Sequence, residues 1–156
     1  MVFYAHYDSP VGRLLLESDG RALTGLWMNR EWDAADADIP VLEQTKAWLD
    51  AYFRGEAPGV EVPLAPAGTE FQRRVWDILL EIPFGQTRTY GDIAREMAVQ
   101  LGKDAMSAQA VGGAVGRNPI SILIPCHRVV GARGQLTGYA GGLDKKAWLL
   151  RHEGWL

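Results

Sequence analysis

The feature that most restricts this chain is a run of helix- and strand-breaking residues before its midpoint. Glu56-Ala57-Pro58-Gly59 leads through Pro63 to Pro66-Ala67-Gly68. Proline fixes its backbone and lacks a donor, so neither helix nor central strand passes through such spacing. The stretch reads as a linker, and it divides the 156 residues into 1–67 and 68–156. A chain of this length suffices for one compact domain or for two small ones sharing an interface.

Ahead of the linker, Val2–Tyr7, Arg13–Glu17 and Ala22–Met28 read as three short strands. Asp8-Ser9-Pro10 and Asp19-Gly20 supply the turns, which suggests an antiparallel meander. Val41 to Arg54 reads as an amphipathic helix, with Leu42, Leu49, Tyr52 and Phe53 on one side and Gly55 as its stop.

Beyond the linker the pattern is mostly helical. Thr69 with Gln72 forms a capping box, and Phe71, Val75, Ile78, Leu79 and Ile82 follow helical spacing until Pro83. Thr89 with Asp92 opens a second helix through Tyr90, Ile93, Ala94 and Met97, and Ser107 can cap a third from Ala108 to about Val115. With a turn around Leu101–Lys103, this pair has the outline of a helix-turn-helix. The third helix contains Gly112 and Gly113, and each glycine costs about 1 kcal/mol relative to alanine. That composition suits a close approach, either by a neighbouring helix or by a nucleic-acid groove.

Charge divides the same way. Residues 1–67 hold five Lys/Arg against eleven Asp/Glu, and residues 68–156 hold eleven against eight, giving −6 and +3 for the total of −3. No carboxylate lies between Asp104 and Asp144, a stretch carrying Arg117, His127, Arg128 and Arg133. A local field of that kind attracts phosphate even when net charge is negative. Chance spacing on a solvated surface is the alternative. No apolar run approaches a membrane span, and the N-terminus lacks a signal-peptide pattern. The expectation is a cytoplasmic protein.

Ile120 to Ile124 is apolar and reads as extended, ending at Pro125-Cys126-His127-Arg128. Cys126 is the only cysteine, so it builds neither an intrachain disulfide nor a cysteine-rich metal site. A lone cysteine beside such a run can be a small buried hydrophobe. A thiolate nucleophile beside basic groups is the other reading. Side chains of adjacent strand residues point to opposite faces, so a bridging water would carry the proton to His127. Asp144 can cap a last helix running to His152 or Glu153, with Gly154 beyond it. A carboxylate at that helix end is disfavoured unless it has a partner, and His127 would serve. Cys126, His127 and Glu153 then form a nucleophile, base and orienter.

Ile124-Pro125-Cys126-His127-Arg128-Val129-Val130 resembles the active-site motif of the O6-alkylguanine-DNA alkyltransferases, closest to their bacterial, Ogt-like members. The resemblance extends through Ala110–Ala114, Asn118-Pro119, Thr137–Leu143 and Trp148–Gly154, and upstream through Phe71–Trp76 and Ile82–Gly91. It covers about residues 69–156; the first part matches in layout only. It implies an α+β protein, with a small N-terminal α/β domain (residues 1–67, linker included) carrying an antiparallel sheet. A mainly helical winged helix-turn-helix domain (68–156) follows. The implied activity is irreversible, stoichiometric transfer of an alkyl group from O6 of guanine in double-stranded DNA to Cys126 after base flipping, by a monomer with no cofactor and no metal. His127 would take the thiol proton through water, Glu153 would hold His127, and Asn118 would brace the turn. Tyr90 would hydrogen-bond the extruded base. Tyr139 would pack on that base, and Lys146 matches a lysine near its pocket. The DNA-facing set is Ser107, Gln109, Ala110, Gly112 and Gly113, with Arg117 and Arg128.

The chain departs from the family in three places. Gln109 stands where an arginine usually fills the gap left by the flipped base. The stretch between Ile93 and Ser107 is longer than in relatives. The first part lacks the cysteines that hold zinc in some members. Two rival readings are a non-catalytic lesion sensor and a cysteine hydrolase; the hydrolase needs an oxyanion hole that no motif supplies.

Overall fold

The computed structural model describes residues 1–139 and 141–156. Ala140, inside the Thr137–Leu143 motif, lies outside the described residues. The chain forms two compact units, residues 1–67 with 119–121, and residues 68–118 with 122–156.

The first unit is built on an antiparallel sheet of β1 (Phe3–Ser9), β2 (Gly12–Ser18) and β3 (Leu23–Trp27), in that order. Leu14, Leu15 and Leu16 of β2 are all buried. Successive strand residues face opposite ways, so burial of all three means that both faces of the central strand are covered. Helix α1 (Pro40–Phe53) packs on the sheet through Val41, Leu42, Leu49 and Tyr52, while Phe53 is half-buried and stacks on Tyr7. Arg54 ends the helix and Gly55 follows at φ 75°, the left-handed turn that glycine adopts without strain. The outer edge of β3 is closed by single-residue bridges from Leu64 and Ile120. Leu23 N–H donates to Pro63 at 2.8 Å, and Leu26 N–H donates to Pro119 at 2.9 Å. The linker residue Leu64 thus protects an otherwise open strand edge.

The second unit contains α2 (Glu70–Leu80), β4 (Arg88–Thr89), α3 (Tyr90–Leu101), α4 (Ala108–Gly116), β5 (Val129–Val130) and α5 (Leu143–His152). Both capping boxes form. Thr69 and Gln72 exchange bonds at the start of α2, and Thr89 and Asp92 do so at α3. Gly102 ends α3 in the left-handed conformation, and Ser107 Oγ accepts from the N–H groups of Gln109 and Ala110 at the start of α4. The α3–α4 pair is the expected helix-turn-helix. Val75, Trp76, Ile78 and Leu79 of α2 are buried, and Trp76 Nε1–H donates to the Ala114 carbonyl of α4 at 2.9 Å. β4 and β5 pair in parallel.

Two local expectations fail. Residues 120–124 are not a strand: only Ile120 bridges, residues 121–123 turn, and Ile122 sits at φ 71°. Apolar character there reflects burial of a tight turn rather than extension. Asp144 is not the cap of α5. Gly142, at φ 103°, takes that position, and Asp144 lies in the first turn, where its charge suits the positive helix end. Among the described residues, no helix is long and apolar enough to cross a membrane.

Candidate active site

Cys126 lies in the second unit, at the end of a turn that its own backbone tightens. Asn118 Nδ2–H donates to the Ile124 carbonyl at 2.8 Å across the turn. Cys126 N–H donates back to Ile124 at 2.7 Å, and Arg128 N–H donates to Pro125 at 3.0 Å. Cys126, His127 and Arg128 therefore form one 3-10 turn, all three buried. A β-branched residue in the left-handed region, as at Ile122, costs roughly 1–3 kcal/mol and persists only where its surroundings over-determine it. The strain here shapes the turn that carries the sulfur.

His127 and Glu153 meet inside the protein. His127 Nε2 lies 2.5 Å from Glu153 Oε2, and both side chains are fully buried. An ionised carboxylate can only accept, so the hydrogen sits on Nε2 and Nδ1 keeps its lone pair. Nδ1 has no hydrogen-bond partner among the described residues. Glu153 is the C-cap of α5, where the helix dipole opposes its charge, yet it is well supplied with donors. Gly85 N–H reaches Oε1 at 3.1 Å, Arg128 Nε–H reaches Oε1 at 2.7 Å, and Arg128 Nη2–H reaches Oε2 at 3.1 Å. Gly85 has φ 82°, and a Cβ there would lie 3.0 Å from the Glu153 carbonyl, so the donor turn requires glycine twice over.

Arg128, expected on the DNA-facing surface, is turned inward. Its remaining donor, Nη1–H, goes to the Ile82 carbonyl at 2.7 Å. A buried carboxylate needs a counter-charge, and that demand outweighs exposure of the guanidinium. Lys146, expected at the base pocket, is also fully buried. Its ammonium donates to the carbonyls of Val129 at 2.6 Å, Thr137 at 2.7 Å and Gly138 at 3.3 Å. All three protons are committed to backbone, so none remains for a base.

Burial sets the protonation states. It pushes the Cys126 thiol up, against the pull of hydrogen bonds from Asn118 and Tyr139 and the charge of Lys146. It pushes His127 down, against the pull of Glu153. At neutral pH the pair is therefore thiol and neutral imidazole. Tyr139 is half-buried and is among the groups that draw the Cys126 thiol down. Tyr90, raised by burial and so a protonated donor, gives its hydroxyl hydrogen to the Thr137 carbonyl at 3.3 Å.

On α4, Gln109, Ala110 and Gly113 are exposed, as are Ser107 before the helix and Arg117 at its C-cap. Val111, Ala114 and Val115 face inward. A Cβ on Gly112 would meet only the Tyr90 ring, at 3.8 Å, and one on Gly113 or Gly116 would meet nothing within 4 Å. Among the described residues, no neighbouring helix accounts for Gly113. Among the described residues no cluster of three or more His, Cys, Asp or Glu is arranged to hold a metal.

A family model described as the DNA binding domain of 6-O-methylguanine DNA methyltransferase matches residues 70–155, and one described as its ribonuclease-like domain matches residues 2–66. The chain belongs to the 6-O-methylguanine DNA methyltransferase family. It is 44% identical over 161 residues to the methylated-DNA–protein-cysteine methyltransferase of Methanosarcina acetivorans, covering 98% of this chain and 99% of that one. The Mycobacterium leprae protein of the same name is 45% identical, with 98% and 93% covered. The crystal structure of Mycobacterium tuberculosis O6-methylguanine methyltransferase matches with a TM-score of 0.83 at 45% identity, covering 98% of this chain and 93% of that chain. The crystal structure of Mycobacterium tuberculosis OGT in complex with DNA matches with a TM-score of 0.81 at 45% identity, covering 96% and 91%.

Within the second unit, His127 and Glu153 are hydrogen-bonded, Asn118 holds the turn before Cys126, and Asn118 and Tyr139 both draw the Cys126 thiol down. Sequence reasoning missed the backbone donors and acceptors, Gly85 N–H and the carbonyls of Ile82, Val129 and Thr137. Residue type carries no trace of them, except that Gly85 demands a positive φ.

Proposed function

We propose that this chain repairs O6-alkylguanine in double-stranded DNA by moving the alkyl group onto Cys126, acting as a monomer in a reducing cytoplasm. The observation that carries this reading is the open Nδ1 of His127, held as a base by Glu153 and one residue from the chain's only cysteine. The Cys126 thiol proton passes to that nitrogen, through a water where direct reach fails. The sulfur attacks the alkyl carbon in line, a C–S bond forms, and the C–O6 bond breaks with its electrons left on guanine. The leaving guanine takes up one proton, and the Tyr90 hydroxyl is the donor nearest the purpose. Tyr139 and Asn118 steady the sulfur from the other sides.

A base within duplex DNA has to leave the stack to reach a buried sulfur. The exposed small-residue face of α4 supports a helix lying against sugars and phosphates, with Gln109 entering the stack and Arg117 on phosphate. Arg128 and Lys146 act from behind the site, not on DNA. The thioether product has no good leaving group and no second cysteine to resolve it, so each molecule acts once.

A non-catalytic lesion sensor has no need of the His127–Glu153 pair. Mixing the protein with O6-methylguanine duplex and weighing it intact separates these readings. Transfer gives a lasting gain of one methyl group per chain, absent in Cys126→Ala. An unchanged mass with retained DNA binding would favour the sensor, and a methyl group on Cys126→Ala would end the assignment of the acceptor.

A further inference from the structure

Lys146 poses a problem that the transfer reaction described above leaves unanswered. Its side chain is fully buried, yet among the described residues no carboxylate pairs with it; its bonds go to three neutral carbonyls. A buried ammonium without a counter-charge is expensive to keep. Burial pulls its pKa down to about 8, and the group that opposes that fall is Cys126. The coupling is mutual, because Lys146 is among the groups that draw the Cys126 thiol down.

The attachment points explain how the charge is kept in place. Val129 follows the 3-10 turn of Cys126 directly, and Thr137 and Gly138 precede Tyr139, another of the groups that draw the thiol down. The ammonium thus ties the segment behind the cysteine to the segment that carries Tyr139. We infer that Lys146 is a positioning residue whose pinned ammonium is the counter-charge against which the Cys126 thiolate forms during transfer. This rests on the alkyl-transfer reading. Among the described residues the site supplies no other resting cation free of a carboxylate, and the imidazolium that His127 becomes on taking the proton lies against Glu153. His127 is neutral at rest, and the Arg128 guanidinium is matched by Glu153. The hydroxyls of Tyr139 and Tyr90, facing from the 137–139 segment and from α3, are neutral dipoles. On α5 itself, Asp144 is exposed.

The charge does for the sulfur what a bound water cannot. A thiolate in a low-dielectric site is stabilised far more by a fixed cation than it would be in bulk solvent. Coupling between two sites is reciprocal, so the thiolate must stabilise the ammonium as much as the ammonium stabilises the thiolate.

The test uses the full-length chain and reads ionisation separately from repair. Thiolate absorbance and the rate of carbamidomethylation by iodoacetamide are followed against pH for wild type, Lys146→Met and Lys146→Arg. Lys146→Met should move the Cys126 titration upward and cut the thiolate fraction at neutral pH by at least about tenfold, one unit of pKa. Lys146→Arg should recover most of that fraction. If Lys146→Met slows alkyl transfer but leaves the thiol titration where it is in wild type, the lysine only holds the loop and the inference is overturned. Should Lys146→Met fail to fold, carbon-13 resonances of the lysine side chain are titrated in wild type and in Cys126→Ser. A lower Lys146 pKa in the serine protein supports the inference, and equal values overturn it. Neither readout needs alkylated DNA, so failure of the repair reading shows separately, in the methyl-transfer mass assay.

Discussion

Replacing Glu153 by glutamine changes one heavy atom and disturbs two of the carboxylate's four hydrogen bonds. The amide oxygen can still accept from Gly85 N–H and Arg128 Nε–H, which lie 3.1 and 2.7 Å from Oε1. The amide nitrogen would then face His127 Nε2 and Arg128 Nη2, now 2.5 and 3.1 Å from Oε2, and both of these are donors. Two consequences follow. The Arg128 guanidinium, about nine-tenths buried, loses its counter-charge. Breaking a buried pair from one side costs about 3–5 kcal/mol. For a chain of this size each kcal/mol moves Tm by about 2–4 °C, so Tm should fall by roughly 6–20 °C. His127 must also give up its Nε2 hydrogen to accept from the new amide, which moves the proton to Nδ1 and removes the base. General-base contributions are about 10²–10⁴-fold in rate, and transfer should slow by that order. Thermal melts give the first number. Single-turnover reaction with free O6-benzylguanine, quenched and weighed, gives the second without involving DNA. A variant melting within about 1 °C of wild type and reacting at the same rate would refute both the charge pairing and the tautomer argument.

Three other outcomes are expected. Gln109→Ala should lower the ratio of duplex to free-base transfer rates, and Gln109→Arg should tighten duplex binding and steepen its salt dependence by about one counterion; an unmoved ratio in Gln109→Ala shifts attention to the longer segment before Ser107. Gly113→Ala should raise the stability of the free protein by up to about 1 kcal/mol, since the new methyl meets nothing, yet weaken DNA binding if α4 lies against the backbone; tighter or equal binding in filter or anisotropy titrations would remove α4 from the interface. Burial holds His127 below its usual 6.5, so the unfolded chain takes up that proton first as pH falls. The stability this group contributes is complete above 6.5 and lost as pH drops through the folded value. Wild type should therefore lose more Tm on acidification than His127→Gln, and equal slopes would refute the assignment.

Short-range chemistry is legible in the residues alone. The capping boxes at Thr69 and Thr89, the Ser107 cap, the stop at Gly55 and the three-stranded meander all depend on residues within a few positions of one another, and each appears in the fold. The motif around Cys126 is likewise a matter of residue identity. Where local signals were ambiguous, they misled: the apolar stretch at 120–124 fits a strand or a buried turn equally well, and Asp144 resembles a cap wherever a helix starts near it. The role of the buried charges depends on partners that long-range folding brings together. Gly85 and Glu153 are 68 residues apart, and Arg128 and Ile82 are 46 apart. No pattern in residue type links either pair. Arg128 could have met phosphate on the surface; it turns inward because Glu153, once buried, cannot stay ionised without it. Lys146 is held by carbonyls that any residue would offer, placed by the path of the chain. Propensity acts over one turn of helix, whereas the cost of burying a charge is settled by whichever partner the fold brings within about 3 Å.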